Sequence, residues 1–437
     1  PRARLISIAD GYFDTLQLND GTLFTLFDDQ CNRVENGVQT TNNPNFAVVP
    51  VSRLGCEEQF KAGNYRYDVS ADGGVYKLTF RGRAEVHPRS EGVSVRNLQY
   101  DEKNDAGTAD VVVEAAARNL WLSWEKTRGG VRDVKLLRPA QKGAPQGEFN
   151  APFLKQLPGF QTIRFMDFTA TNNSPVRPWE ERPKPDDATW AGDRGGPWEC
   201  VVDLANTTGR DIWINVPDQA DDDYVRSLAR YLHGALRFEI NVYVEYSNEV
   251  WNWQFQQAHR NLAAAKAEAA LPGNRLTAPV GPDDDSKNET YWAWKRTAER
   301  LMDITAIFRE VWGKAAIGPR IRPILAGQYA NPFMFQIQLD FVRKHYGPPA
   351  ETLYGIAVAP YVYLPEDLQK RTGLTKDEVL STLSAGVETL NRNAYAASCA
   401  VARWDGLRML SYEGGPDVGQ AEENLDAKIA ANRDPKM

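Results

Sequence analysis

The chain is poor in histidine: four in 437 residues, His87, His233, His259 and His345, none at the end of a strand-like run. Ser-His-Asp hydrolases and zinc enzymes both need histidine in the site, so neither chemistry is expected. No run of about 18 apolar residues occurs, and a membrane-spanning helix is not expected. No Gly-x-Gly-x-x-Gly follows a strand-like segment, which leaves dinucleotide binding without support. The 51 Lys and Arg are outnumbered by 58 Asp and Glu, for a net charge of −7. Nucleic acid is therefore not an expected partner, since phosphates require a basic face. The chain starts at Pro1 without a basic and apolar leader, and any signal peptide is expected to have been removed.

Cysteine is sparse but even: Cys31, Cys56, Cys200 and Cys399. Three pairings are open; disulfides are expected, with four buried thiols as the alternative. Three sequons, Asn172-Asn-Ser, Asn206-Thr-Thr and Asn288-Glu-Thr, add weight to a secreted glycoprotein. Asn288, in a polar loop, is the expected acceptor.

Hydrophobic residues at 42% and charged residues at 25% are ordinary for a globular protein, and the length calls for more than one domain. Residues 1–150 read as all-β. Leu5–Ile8, Asn64–Val69, Val75–Phe80, Asp110–Glu114 and Leu120–Trp124 are short and rich in β-branched or aromatic residues. Ala71-Asp-Gly-Gly74 carries a hairpin signature, and short strands at this spacing predict a sandwich-like domain. Ala140–Gly147 reads as a connector to a second domain, 151–437.

There the pattern becomes strand, loop, helix. The strands are expected at Thr162–Phe168, Asp211–Pro217, Asn241–Glu249, Ile321–Gln328, Gly355–Val362 and Arg408–Gly415. Helices are expected at Asp222–Leu236, Gln254–Leu271, Thr290–Val311, Pro332–His345 and Thr375–Val401. Such alternation predicts an α/β fold with a parallel sheet, and at this size a (β/α)8 TIM-type barrel. Six strands are present rather than eight. The chain is expected to be part of a longer one, lacking the first and last barrel strands.

Two of these strands end in glutamate. Val242-Tyr-Val-Glu-Tyr-Ser-Asn-Glu-Val-Trp-Asn252 carries Asn248 and Glu249 at its tip, and Arg408-Met-Leu-Ser-Tyr-Glu-Gly-Gly415 carries Glu413. In a parallel α/β barrel the strand tips open onto one face. A pair of carboxylates there is what glycoside hydrolysis needs.

These motifs resemble the clan A glycoside hydrolases, retaining enzymes on a (β/α)8 barrel in which an Asn-Glu pair ends the fourth strand and a Glu the seventh. The chain is similar, more narrowly, to secreted, cellulase-like proteins that share the phrase from Tyr243 to Asn252. The resemblance covers roughly residues 90–437 and extends to Arg164-Phe-Met-Asp167, Thr171-Asn-Asn-Ser174 and Asp218–Tyr224. It implies that the six strands are numbers two to seven, with the β-rich segment inserted between strands one and two. It also implies that Glu249 is the acid/base, with a raised pKa, and Glu413 the nucleophile. Asn248 would bind the sugar 2-hydroxyl, and Arg164 and Tyr361 would keep Glu413 ionised.

Indole stacks on the apolar faces of sugars, so Trp251 and one tryptophan of the loop holding Trp179, Trp190 and Trp198 are expected to line subsites. Asn172 and Gln219 are further candidate contacts, whereas Asp221-Asp-Asp223 reads as an acidic helix start. Asp283-Asp-Asp285 reads as a floppy acidic loop in preference to a calcium site. No cofactor is called for. The expected function is retaining hydrolysis of a polysaccharide; the alternative is a non-catalytic glycan-binding or structural protein on the same barrel.

Overall fold

A computed structural model of the protein describes residues 47–50, 73–117, 120–137, 149, 151–185, 187, 190, 192–392, 394–419 and 423–437. They fall into two compact units. One takes the described residues of Pro1–Gln161 with Asp167–Ala170 and Glu180–Arg210; the other takes Thr162–Met166, Thr171–Trp179 and Asp211–Met437.

The first unit holds β1 (Ala47–Pro50), β2 (Gly74–Pro88), β3 (Val93–Asp101), β4 (Ala106–Val113) and β5 (Trp121–Leu137). They form one antiparallel sheet in the order β1-β5-β2-β4-β3. Burial alternates along β2, with Tyr76, Leu78 and Phe80 inside and Lys77, Thr79 and Arg81 between them, as a half-buried strand requires. Together with Val111, Val113, Leu122 and Trp124 they make one core.

Of the expected sandwich, the described residues form this one sheet. The segments Val75–Phe80 and Leu120–Trp124 are not separate short strands but the starts of β2 and β5, 15 and 17 residues long. Register shifts between Thr79 and Glu85 bend the pair. At one of them Gly82 has φ +97°, and a Cβ would lie 2.3 Å from the Gly130 carbonyl oxygen. The strands expected at Leu5–Ile8 and Asn64–Val69 and the connector at Ala140–Gly147 lie outside the described residues. The same holds for the start of the Ala71–Gly74 turn. Helix α1 (Trp198–Thr208), which the pattern did not predict, ends on Gly209 in the left-handed conformation.

In the second unit β6 (Thr162–Arg164), β7 (Asp211–Val216), β8 (Val242–Tyr246), β9 (Ile321–Ala326), β10 (Gly355–Val358) and β12 (Arg408–Ser411) build a parallel sheet. Its order is β12-β10-β9-β8-β7-β6. Between β10 and β12 comes β11 (Tyr361–Tyr363), which pairs with β13 (Gly415–Asp417) beyond the strand tips. Its longer helices are α2 (Asp222–Ala235), α3 (Gln256–Ala269), α4 (Glu289–Trp312), α5 (Pro332–Tyr346), α6 (Lys376–Arg392) and α7 (Ala394–Trp404). The single helix expected over Thr375–Val401 is thus two. Asp221, Asn288 and Asn331 cap α2, α4 and α5 through their side-chain oxygens, each cap contributing about 1 kcal/mol.

All five residues of β8 are buried, which explains its nearly continuous apolar run. One face of the sheet carries Trp213, Tyr243, Ile324, Ala357 and Tyr412 as a connected cluster. The helix α4 packs against β8 and β9.

Cys200 is a buried thiol in α1 and Cys399 a half-buried thiol in α7. No bridge uses either, which corrects the disulfide expectation for these two; Cys31 and Cys56 lie outside the described residues. The acidic loop is corrected too. Asp284 and Lys295 are both fully buried and 2.6 Å apart, and Lys295 Nζ also donates to the Leu276 carbonyl at 2.9 Å. Burial pushes the Lys295 amine down, and Asp284 opposes that. Asp284→Ala leaves a buried charge uncompensated and should cost about 3–5 kcal/mol, read as a lower denaturation midpoint in urea.

Candidate active site

The site is assembled at the C-terminal ends of parallel strands. Arg164 closes β6, Asn248 and Glu249 follow β8, Tyr361 opens β11 just past β10, and Glu413 follows β12. Arg164 lies in register with Trp213 on β7, which lies in register with Tyr243 on β8. The Trp213 and Tyr243 rings stack at 5.4 Å.

The Arg164 guanidinium is the hub. Its Nη2 donates to Glu245 Oε2 at 2.9 Å and to Asn248 Oδ1 at 2.9 Å. Its Nη1 donates to Glu413 Oε2 at 3.4 Å, and its carbon lies 4.8 Å from the centroid of the Tyr412 ring. Burial alone would lower its proton affinity, but Glu245 and Glu413 outweigh that and hold it charged. Glu245 is 1% exposed and takes a second hydrogen bond from Trp213 Nε1 at 2.7 Å. Burial pushes this carboxyl up, against the pull of Arg164 and of the indole donor.

A regular strand would turn Asn248 and Glu249 to opposite faces. Here Ser247 and Glu249 both have left-handed φ, +54° and +43°, a conformation that costs a non-glycine residue about 1–3 kcal/mol. Asn215 Nδ2 donates to the Ser247 carbonyl at 2.6 Å, and the Ser247 amide donates to Val216 O at 2.8 Å. These bonds hold the kink, and through it Asn248 meets Arg164 while Glu249 meets Tyr412.

Glu413 accepts from Arg164 and from the Tyr361 hydroxyl. Both favour its ionised form, in the expected direction. Burial nevertheless outweighs Arg164, and the negative charge of Glu249 adds to burial, so the Glu413 carboxyl lies above the ordinary glutamate range. Tyr361 is raised by burial and then by Glu413. Glu249 is held at both oxygens: Oε1 accepts from the Tyr412 hydroxyl at 2.9 Å and Oε2 from Asn252 Nδ2 at 2.8 Å. Next to Glu413, Gly414 has φ +147°, and a Cβ would lie 3.1 Å from Pro360, the neighbour of Tyr361. The Gly-Gly sequence is what lets these two loops run side by side.

Asn172 joins the site through amides. Its Oδ1 accepts from Asn248 Nδ2 at 3.0 Å and from Gln257 Nε2 at 2.7 Å. Trp251 is half-buried immediately after this cluster, and its indole Nε1 is buried without a hydrogen-bond partner.

Two candidates lie elsewhere. Gln219 donates to the Ser174 carbonyl at 2.9 Å and lines a cavity of about 740 Å³ with Asp218, Tyr246, Arg260 and Arg296; neither Glu249 nor Glu413 lines it. Trp179 is half-buried and packs edge-on to Tyr224 of α2 at 5.2 Å. Trp190 and Trp198 are buried in the first unit.

Sequence reasoning passed over Glu245, Tyr412, Asn252, Trp213 and Gln257. Glu245 did carry a signal, since a glutamate inside an apolar strand requires a buried partner. Gln257 carried none.

A family model, Domain of unknown function (DUF8021), matches residues 1–76, a stretch that contains none of these site residues. No curated protein matches the chain. Among solved structures the chain is similar to a psychrophilic glycoside hydrolase family 10 endo-beta-1,4-xylanase. That likeness has a TM-score of 0.28 at 11% identity and covers 58% of this chain and 78% of that one.

The raised Glu413 carboxyl has a consequence for stability. A group raised in the fold is costlier to ionise there than in the unfolded chain. That cost is absent below the ordinary value of 4.5 and develops as pH rises through the folded value. Glu413→Gln should therefore raise the thermal midpoint at pH 7, and the gain should shrink towards zero near pH 4, as read by calorimetry at the two pH values.

Proposed function

We propose that the chain carries the catalytic site of a retaining β-glycoside hydrolase, with Glu413 as nucleophile and Glu249 as acid/base. The observation that supports this most is the pairing at the strand tips. Glu413 is held by Arg164 and Tyr361 and feels the charge of Glu249, itself held by two separate donors. A structural salt bridge needs one carboxylate and one cation; it has no use for a second carboxylate with its own donors.

In the first step a Glu413 oxygen bonds to the anomeric carbon as the glycosidic C–O bond breaks, and the proton of Glu249 passes to the leaving oxygen. In the second step water attacks the same carbon, gives its proton to Glu249 and displaces Glu413. Asn248 would hold the sugar 2-hydroxyl and Trp251 would flank the ring. The six strands in this reading are numbers two to seven of a (β/α)8 barrel. The order of the parallel sheet supports this, because Glu249 follows the third of the six and Glu413 the last. The substrate class is a polysaccharide and the setting extracellular, the latter resting on the sequons, with Asn288 at the start of α4 as acceptor.

Glu249→Gln should lower hydrolysis of a polysaccharide substrate by about 10²–10⁴-fold while leaving glycan binding intact. A 2-deoxy-2-fluoro aryl β-glycoside should label Glu413, which mass spectrometry of peptides detects. A parent protein that binds glycan but neither hydrolyses it nor becomes labelled would be a binding module instead.

A further inference from the structure

Tyr412 is adjacent in sequence to the proposed nucleophile, yet its hydroxyl bonds the other carboxylate, Glu249 Oε1, at 2.9 Å. The side chain is 6% exposed and its ring lies under the Arg164 guanidinium at 4.8 Å. The phenol is thus fixed at both ends, by the cation at its face and by the carboxylate at its tip. Asn252, three residues beyond Glu249, takes Oε2 at 2.8 Å through its amide nitrogen. The Asn252 backbone amide donates to the Glu249 carbonyl at 2.8 Å, closing the turn that brings this side chain back.

We infer that Tyr412 is the positioning residue of the acid/base: with Asn252 it fixes the Glu249 carboxyl and stabilises the carboxylate left when the proton has gone to the leaving oxygen. This rests on the glycosidase reading and extends it to a residue outside the two-glutamate scheme. An amide N–H can only donate, and a phenol hydroxyl donates to an ionised carboxylate. Both contacts therefore strengthen as Glu249 gives up its proton, and only interactions that strengthen towards the transition state accelerate a reaction. The geometry also couples the two catalytic loops. Tyr412 and Glu413 leave β12 together, so the residue that aligns the acid/base moves with the nucleophile.

A purely structural tyrosine would make no distinction among leaving groups, whereas a residue acting through the general acid must. The test compares Tyr412→Phe with the parent on phenyl and 2,4-dinitrophenyl β-glycosides of glucose, xylose and cellobiose. The variant keeps the ring under Arg164 and loses only the hydroxyl. Its kcat/KM should fall about 10- to 100-fold on the phenyl glycoside, which needs protonation, and less than about 3-fold on the dinitrophenyl one, which does not. Equal losses on the two leaving groups overturn the inference. Should Tyr412→Phe not fold, Asn252→Ala removes the donor at the other oxygen and must show the same split. A parent that cleaves none of these glycosides and is not labelled at Glu413 overturns the glycosidase reading, and the inference with it. A labelled, active parent with an even loss overturns the role of Tyr412 alone.

Discussion

Arg164 is a cation that has been taken out of water, and Glu245 first and Glu413 second offset the cost of burying it. Desolvating a guanidinium and a carboxylate costs several kcal/mol per ion, and the pair recovers this only with well-made hydrogen bonds. Glu245, with its bonds to Arg164 and to Trp213, supplies that compensation from within the sheet. The remaining guanidinium N–H groups are then available at the strand tips, where they reach Asn248 and Glu413. The stacked Trp213 and Tyr243 rings make the apolar floor on which the charge cluster stands. A buried ion pair inside the sheet is thus what presents a usable cation at its edge.

The second constraint is backbone strain. Two left-handed residues on either side of Asn248 cost stability, and β7 holds the first of them, Ser247, by two hydrogen bonds. The loop after β12 reaches its place differently, through glycines that tolerate the approach to Pro360. One carboxylate is placed by strain and the other by the absence of a side chain. Both solutions are local to the strand ends, as expected when a rigid sheet supports loops that carry the chemistry.

Much of the second unit was legible in the sequence because its elements are long and periodic. The six parallel strands and the helices between them follow from β-branched runs alternating with amphipathic ones. The tips could be read because Asn-Glu and Glu-Gly-Gly interrupt apolar strands. The first unit was less legible. Its two long strands bend at glycines and so look like several short ones. Helix α1 was hidden in a stretch rich in Pro, Gly and Trp, although Gly209 after Thr208 marks its end. Trp179 also packs on Tyr224 of α2, a contact that the spacing of the tryptophans does not announce. The amide network of Asn172, Asn248 and Gln257 joins residues up to 85 positions apart, and no local pattern encodes it.

The charge balance of the site follows from the same geometry. Burial raises the Glu413 carboxyl, and the charges of Glu249 and Glu245, which share the neighbourhood of one buried guanidinium, add to it. Hydrogen-bond donors then distinguish the carboxyl groups. Glu245 takes an indole and the guanidinium, Glu413 the guanidinium and a phenol, Glu249 a phenol and an amide. Glu249 is the one of the three with no bond from Arg164 among the described contacts. In the proposed mechanism the difference between Glu249 and Glu413 comes down to which of them Arg164 reaches.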